Sequence, residues 1–130
     1  KKEILQINSK ANIHIGKYVP QNLDELDNKE NYLVFSGIGN HKTLLSMLKI
    51  NNFKIIKDIE FPDHYNYSKN DIDKIISISN NYNCKILTTE KDFIRLKNYM
   101  TDKIAFISSK LEILNEEKFF ETLTKIYEQN

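Results

Sequence analysis

A single cysteine, Cys84, excludes an internal disulfide. It lies in the apolar run "CKILTT", which points to a reducing compartment and to a buried thiol that packs as a core atom instead of attacking a substrate. Neither sign of charge is in excess: 19 Lys and Arg against 18 Asp and Glu leave +1 with histidines neutral. No basic face for nucleic acid follows, and no acidic tail. Apolar runs all fall short of the roughly 20 residues that cross a bilayer, and no secretory leader pattern opens the chain. A basic amphipathic helix of the kind that lies in a membrane interface is also missing. The expectation is a soluble chain, with a role at a membrane surface left open. Three histidines and the one cysteine, scattered as they are, lack the close spacing of metal ligands. The chain starts at Lys1 in "KKEILQINSKANIHIGKYVP", a segment with one strand pattern and no helix pattern of its own, and it reads as a cut through a longer protein.

Scarce glycine settles a further question. The stretch Ser36–Thr43, "SGIGNHKT", follows the apolar "YLVF" and opens the helix-like "LLSMLK". A phosphate-binding P-loop needs Gly-x-x-x-x-Gly-Lys-Ser/Thr, because a side chain at either glycine blocks the backbone's curl around the phosphates. Aligned on Lys42 and Thr43, those positions hold Ser36 and His41, so no such loop is present. The dinucleotide fingerprint fails at its third glycine, where Lys42 stands. What remains is a tight turn through Gly37 and Gly39 into a helix, able to serve the backbone alone or to hold an anion on free N–H groups.

What is there is an alternation. A strand pattern near 13–19 and a polar stretch lead to "NYLVFSG", a buried-strand pattern ended by glycine. Leu44, Leu45, Met47 and Leu48 then mark a helical face, "FKIIKDIEF" alternates as a strand, and Ile72, Ile75, Ile76 and Tyr82 mark a second helical face. "CKILTT" and "KIAFISS" are two more strands, "EKDFIRLKNYM" is a helix between them, and Phe119, Phe120, Leu123, Ile126 and Tyr127 stripe the last helix. The rhythm predicts an α/β fold, Rossmann-like, with a mostly parallel sheet, right-handed crossovers and flanking helices. Residues 1–31 read as a linker with an entry strand, and 32–130 as one domain. In such sheets ligands sit beyond the carboxyl ends of the strands. The loops to search are therefore "SGIGN", "FPDHYNYS" and "TTEKD".

"FPDHYNYS" is the most unusual text in the chain. Pro62 biases Phe61 to extended geometry, and Asp63 and His64 set a carboxylate beside an imidazole, with two tyrosines, Tyr65 and Tyr67, close by. Ser68 and Asp71 have capping-box spacing and need no functional account. Thr89 and Asp92 share that spacing, yet Thr88, Thr89, Lys91 and Asp92 together also make a credible anion or sugar site. Both readings stay open. His14 and His41 are expected on the surface.

Taken together, "FSGIGN", "FPDHYNYS" and "TTEKD", in this order and spacing, resemble the C-terminal domain of tetraacyldisaccharide 4'-kinase, the lipid A 4'-kinase. The likeness covers nearly the whole chain and is clearest from Val34 to Leu96. It implies a P-loop kinase of lipopolysaccharide synthesis that moves the γ-phosphate of ATP, with magnesium, to the 4'-hydroxyl of an acylated disaccharide 1-phosphate at the cytoplasmic face of the bacterial inner membrane. In the family, the phosphate-binding loop and the metal-binding acids lie in an N-terminal domain, which this stretch of sequence does not contain. The histidine of the family's "DH" pair partners a catalytic aspartate of that domain. The resemblance thus implies that His64, with Asp63, orients a general base across the cleft, since a carboxylate is a weak base until a neighbour holds it. Tyr65 stands where the family often has a second histidine, so His64 is the sole imidazole of the motif. Gly37, Gly39, Asn40, Tyr65, Thr88, Thr89, Lys91 and Asp92 are carried over as substrate-side cleft residues. The alternatives are a non-catalytic module for a sugar phosphate or similar anion, and a purely structural interaction domain.

Overall fold

The computed structural model describes residues 13–96, 98, 99 and 102–129. Contacts divide it into two compact units: Pro20–Ser109 form one, and the two chain ends, up to Val19 and from Lys110, form the other. The elements in order are β1 (Ile15–Pro20), a short 3-10 turn (Leu23–Glu25), β2 (Asn31–Ser36), α1 (His41–Ile50), β3 (Lys54–Glu60), α2 (Lys69–Asn81), β4 (Lys85–Thr89), α3 (Glu90–Arg95), β5 (Ile104–Ile107), β6 (Ser109–Leu114) and α4 (Glu116–Glu128).

The larger unit holds a four-stranded sheet in the order β3-β2-β4-β5, parallel at every pairing. β2 is central, and all its residues after Asn31 are buried. Its side chains alternate between two cores, as the period of a strand requires. Leu33 and Phe35 pack with Tyr67, Ile72, Ile75, Ile86, Leu96 and Ile104, while Tyr32 and Val34 pack with Leu44, Leu48, Phe53, Leu87 and Ile107. Helices cover both faces, so β2 reads as a continuous apolar run. Full burial of a side chain such as Phe35 or Leu33 contributes about 1.5–3 kcal/mol. β3, at the edge, is exposed instead except at Ile55 and Ile59, which are half-buried.

Local chemistry ends the helices where the sheet needs them to end. Ser68 and Asp71 form a complete capping box at the start of α2. Asn52 and Asn83 follow α1 and α2 at φ 65° and 48°, the left-handed conformation that asparagine tolerates and that turns the chain back toward the next strand.

Two expectations are corrected. "KIAFISS" holds a strand that stops at Ile107; a separate strand, β6, starts at Ser109 and pairs with β1 in a two-stranded ribbon. Five of the six positions of β6 are exposed, so no apolar alternation announces it. His41, expected on the surface, is 2% exposed, because the helix it opens turns its ring under the sheet toward Ser36 and Asp58. His14 is half-buried and edge-on to Phe119 within the smaller unit.

From β2 the chain passes to β3 on one side, and from β3 it crosses back beyond β2 to β4. The connections leaving β2 and β4 therefore diverge at their carboxyl ends. This is the switch point where open α/β sheets bind ligands.

Candidate functional site at the switch point

Three post-strand loops meet there. The loop after β3 is tied to the end of β2: Phe61 N–H donates to the Ser36 carbonyl at 2.8 Å, and His64 N–H donates to the Gly37 carbonyl at 3.0 Å. Gly37 is favoured by this close approach and not by its own dihedral angles. A Cβ there would sit 3.0 Å from Tyr67 Oη, 3.2 Å from the Pro62 carbonyl oxygen and 3.2 Å from Tyr65 Cβ. Gly39, further along the turn, faces Asp63, whose Oδ2 would lie 3.5 Å from an added Cβ. The sequence-adjacent Asp63 and His64 form the tip of the second loop, with His64 at φ 58°. Its side chain is 82% exposed, yet the backbone beneath it is anchored.

Asp92 is the hub below the tip. Thr89 caps α3 by accepting from Asp92 N–H at 3.1 Å, and its hydroxyl donates to Asp92 Oδ2 at 2.6 Å. The reciprocal half of a capping box is not formed, so Oδ1 is left for other partners. Tyr67 Oη donates to it at 2.9 Å and Arg95 Nη1 at 3.3 Å. This carboxylate has no exposed surface, and its hydrogen bonds and the guanidinium compensate the burial of its charge. Burial of the Tyr67 phenol, with the Asp92 charge beside it, pushes that hydroxyl far above its ordinary pKa and keeps it a donor.

Arg95 joins the three loops. Nη1 also donates to the Gly37 carbonyl at 3.1 Å, and Nη2 lies 3.0 Å from His64 Nδ1. A guanidinium has no acceptor, so Nδ1 must accept and the ring must carry its proton on Nε2. Asp63 Oδ2 lies 3.7 Å from Nε2, beyond hydrogen-bond reach. An Nε2–H on an exposed ring is a donor suited to an incoming carboxylate.

The other expected residues divide. Tyr65 is half-buried, its ring against Phe61 and Tyr67 and its hydroxyl donating to Asp71 Oδ2 at 3.2 Å, so it braces the loop. Asn40 accepts from the Thr43 hydroxyl at 2.6 Å. Lys91 is exposed on α3. Thr88 is fully buried, and its hydroxyl donates to the Phe35 carbonyl at 2.8 Å, which leaves nothing of it on the open edge. Cys84 is half-buried and its thiol pKa is raised by burial, in keeping with a packing role. Arg95 was not among the residues expected from the sequence. The one signal for it was its place three residues after Asp92, on the same face of a helix that starts at a post-strand loop. Tyr67 stood out only as one of two tyrosines.

Among the described residues no group of three His, Cys, Asp or Glu side chains could hold a metal ion. No described helix is long and apolar enough to cross a membrane.

The family described as tetraacyldisaccharide-1-P 4'-kinase matches residues 2–128. A tetraacyldisaccharide 4'-kinase of Pelagibacter ubique is 50% identical over all of this chain and 41% of its own length. The enzyme of the same name from Rickettsia typhi is 35% identical over 85% of this chain and 33% of its own. The chain thus spans well under half the length of these relatives. A crystal structure of the "apo" form LpxK from Aquifex aeolicus in complex with ATP is similar over 94% of this chain and 40% of that one, with 22% identity and a TM-score of 0.49.

Proposed function

The chain belongs to the tetraacyldisaccharide-1-P 4'-kinase family, and from that premise we propose that it is the C-terminal, substrate-side domain of a lipid A 4'-kinase. The whole enzyme transfers the ATP γ-phosphate to the 4'-hydroxyl of a tetraacyldisaccharide 1-phosphate at the cytoplasmic face of the inner membrane. Residues 1–31 lead in from an N-terminal P-loop domain, and that domain holds ATP and magnesium. This chain supplies the far wall of the cleft.

One observation carries the reading: His64 stands exposed at the switch point, on a backbone tied to Gly37, with its Nδ1 engaged and its Nε2–H left to donate. A donor held there orients a carboxylate of the facing domain, so that the free oxygen takes the proton of the 4'-hydroxyl as it attacks. Phosphoryl transfer depends on positioning above all, and a base held in one geometry is part of that positioning. Gly39 and Asn40, at the turn opposite Asp63, and Lys91 on α3 are assigned to the substrate side of the same cleft.

The test is steady-state kinetics of the full-length enzyme, with ATP and lipid varied separately. His64→Ala is expected to lower kcat by part of the about 10²–10⁴-fold that acid–base groups supply, with KM changed far less. An unchanged kcat removes His64 from the mechanism.

A further inference from the structure

We propose that Arg95 is the positioning residue of this site: it holds His64 in the tautomer with its proton on Nε2 and so decides which ring nitrogen meets the base of the facing domain. The proposal rests on the functional reading above and assigns to Arg95 the regulation of that same imidazole. An isolated neutral imidazole exchanges its proton between two nitrogens, and an 82% exposed ring on a loop tip has little to choose one or to hold its orientation. Arg95 provides both. Its Nη2 lies 3.0 Å from Nδ1 and can only donate. Its Nη1 is placed by the Gly37 carbonyl at 3.1 Å and by buried Asp92 at 3.3 Å.

The Gly37 carbonyl also receives His64 N–H, so ring and guanidinium share a backbone anchor and their spacing is set by one peptide group. Asp92, with Tyr67 and Thr89 donating to it, keeps the guanidinium from turning to solvent. The chain of contacts runs Thr89 and Tyr67 to Asp92, to Arg95, to His64. His64, the last of these, is the most exposed, and its Nε2–H has no acceptor within hydrogen-bond reach among the described residues. A lysine would keep the charge but has one nitrogen, which cannot serve Gly37 and Asp92 on one side and Nδ1 on the other.

The experiment uses the full-length enzyme with Arg95→Ala, Arg95→Lys, His64→Ala and the Arg95→Ala/His64→Ala pair, each checked for its thermal transition. The expected results are a fall in kcat of about 10-fold or more for both Arg95 variants, with both KM values nearly unchanged and no further loss when Arg95→Ala is added to His64→Ala. Nitrogen spectra of histidine-labelled protein, with the His64 signal assigned by its loss in His64→Ala, should show the Nε2–H form in the wild type and a mixture in either Arg95 variant. An additive loss in the pair with a raised KM would make Arg95 a direct ligand of substrate phosphate and overturn the proposal. So would an unchanged tautomer signal, or full activity in Arg95→Lys. If Arg95→Ala does not fold, Arg95→Lys carries the same measurement. A His64→Ala enzyme with normal kcat refutes the functional reading instead, and the spectra then still decide whether Arg95 sets the tautomer.

Discussion

Ser36, His41 and Asp58 bring together a hydroxyl, an imidazole and a carboxylate at 2.6 and 3.0 Å, the residue types of a hydrolase triad. The Ser36 hydroxyl is fully buried, so no substrate can reach it. The trio instead fastens the end of β2 to the first turn of α1 and to β3, one contact on each element. His41→Ala leaves Ser36 without its imidazole partner inside the protein, and a buried polar group so stranded costs about 1–3 kcal/mol. A urea titration should show a lower midpoint by that measure with an unchanged slope. Tyr67→Phe tests the other buried contact. The native phenol pKa is raised while the unfolded one stays near 10. Its contribution is therefore whole below about pH 10 and shrinks as pH rises above that value. The Phe variant should be less stable at neutral pH and should lose part of the wild type's alkaline decline, read from midpoints between neutral and alkaline pH.

At the scale of elements, caps and left-handed turns place the loops of the site. Asp71 accepts from Ser68 N–H at 2.8 Å and from the Ser68 and Tyr65 hydroxyls, and the Ser68 backbone bond is the first cause of its lowered pKa. A depressed carboxylate stabilises fully above its unfolded value of about 3.9 and loses that contribution as pH falls through the lower native value. Asp71→Asn should remove this part of the acid limb of the stability profile, measured by thermal unfolding between acid and neutral pH. Asn83, at φ 48° between α2 and β4, makes a second case. Asn83→Val forces a β-branched residue into the left-handed region and should destabilise by about 1–2 kcal/mol, whereas Asn83→Gly should hold or slightly raise the melting temperature.

For the molecule as a whole, all pairings of the four-stranded sheet and both apolar clusters lie between Pro20 and Ser109. A chain of residues 20–109 should therefore unfold cooperatively by itself, with coincident far- and near-ultraviolet circular dichroism transitions. Loss of the near-ultraviolet signal ahead of the far-ultraviolet one would show that the unit depends on the rest of the chain. The full 130-residue chain should not hydrolyse ATP, because its sequence has no loop to cradle three phosphates; a metal-dependent ATPase activity in it would overturn the division of labour proposed here.

The alternation of strand and helix, the parallel sheet and the three loops at its carboxyl edge were legible in the residues themselves, because apolar periodicity and backbone chemistry act over short distances along the chain. "YLVF", short and ended by glycine, read as a buried strand, and Ser68 with Asp71 could be paired by spacing alone. β6 was not legible, since an exposed ribbon leaves no apolar period. Nor was the burial of His41, whose partner Asp58 lies 17 positions away on another strand. The site divides in the same way. Asp63, His64, Thr89 and Asp92 stood out by type and by place after strands, but Arg95 acquires its meaning from a nitrogen 3.0 Å away on a residue 31 positions earlier. Contacts of that range are made by the crossing of β3 back over β2 to β4, and only folding decides which side chains that crossing brings together.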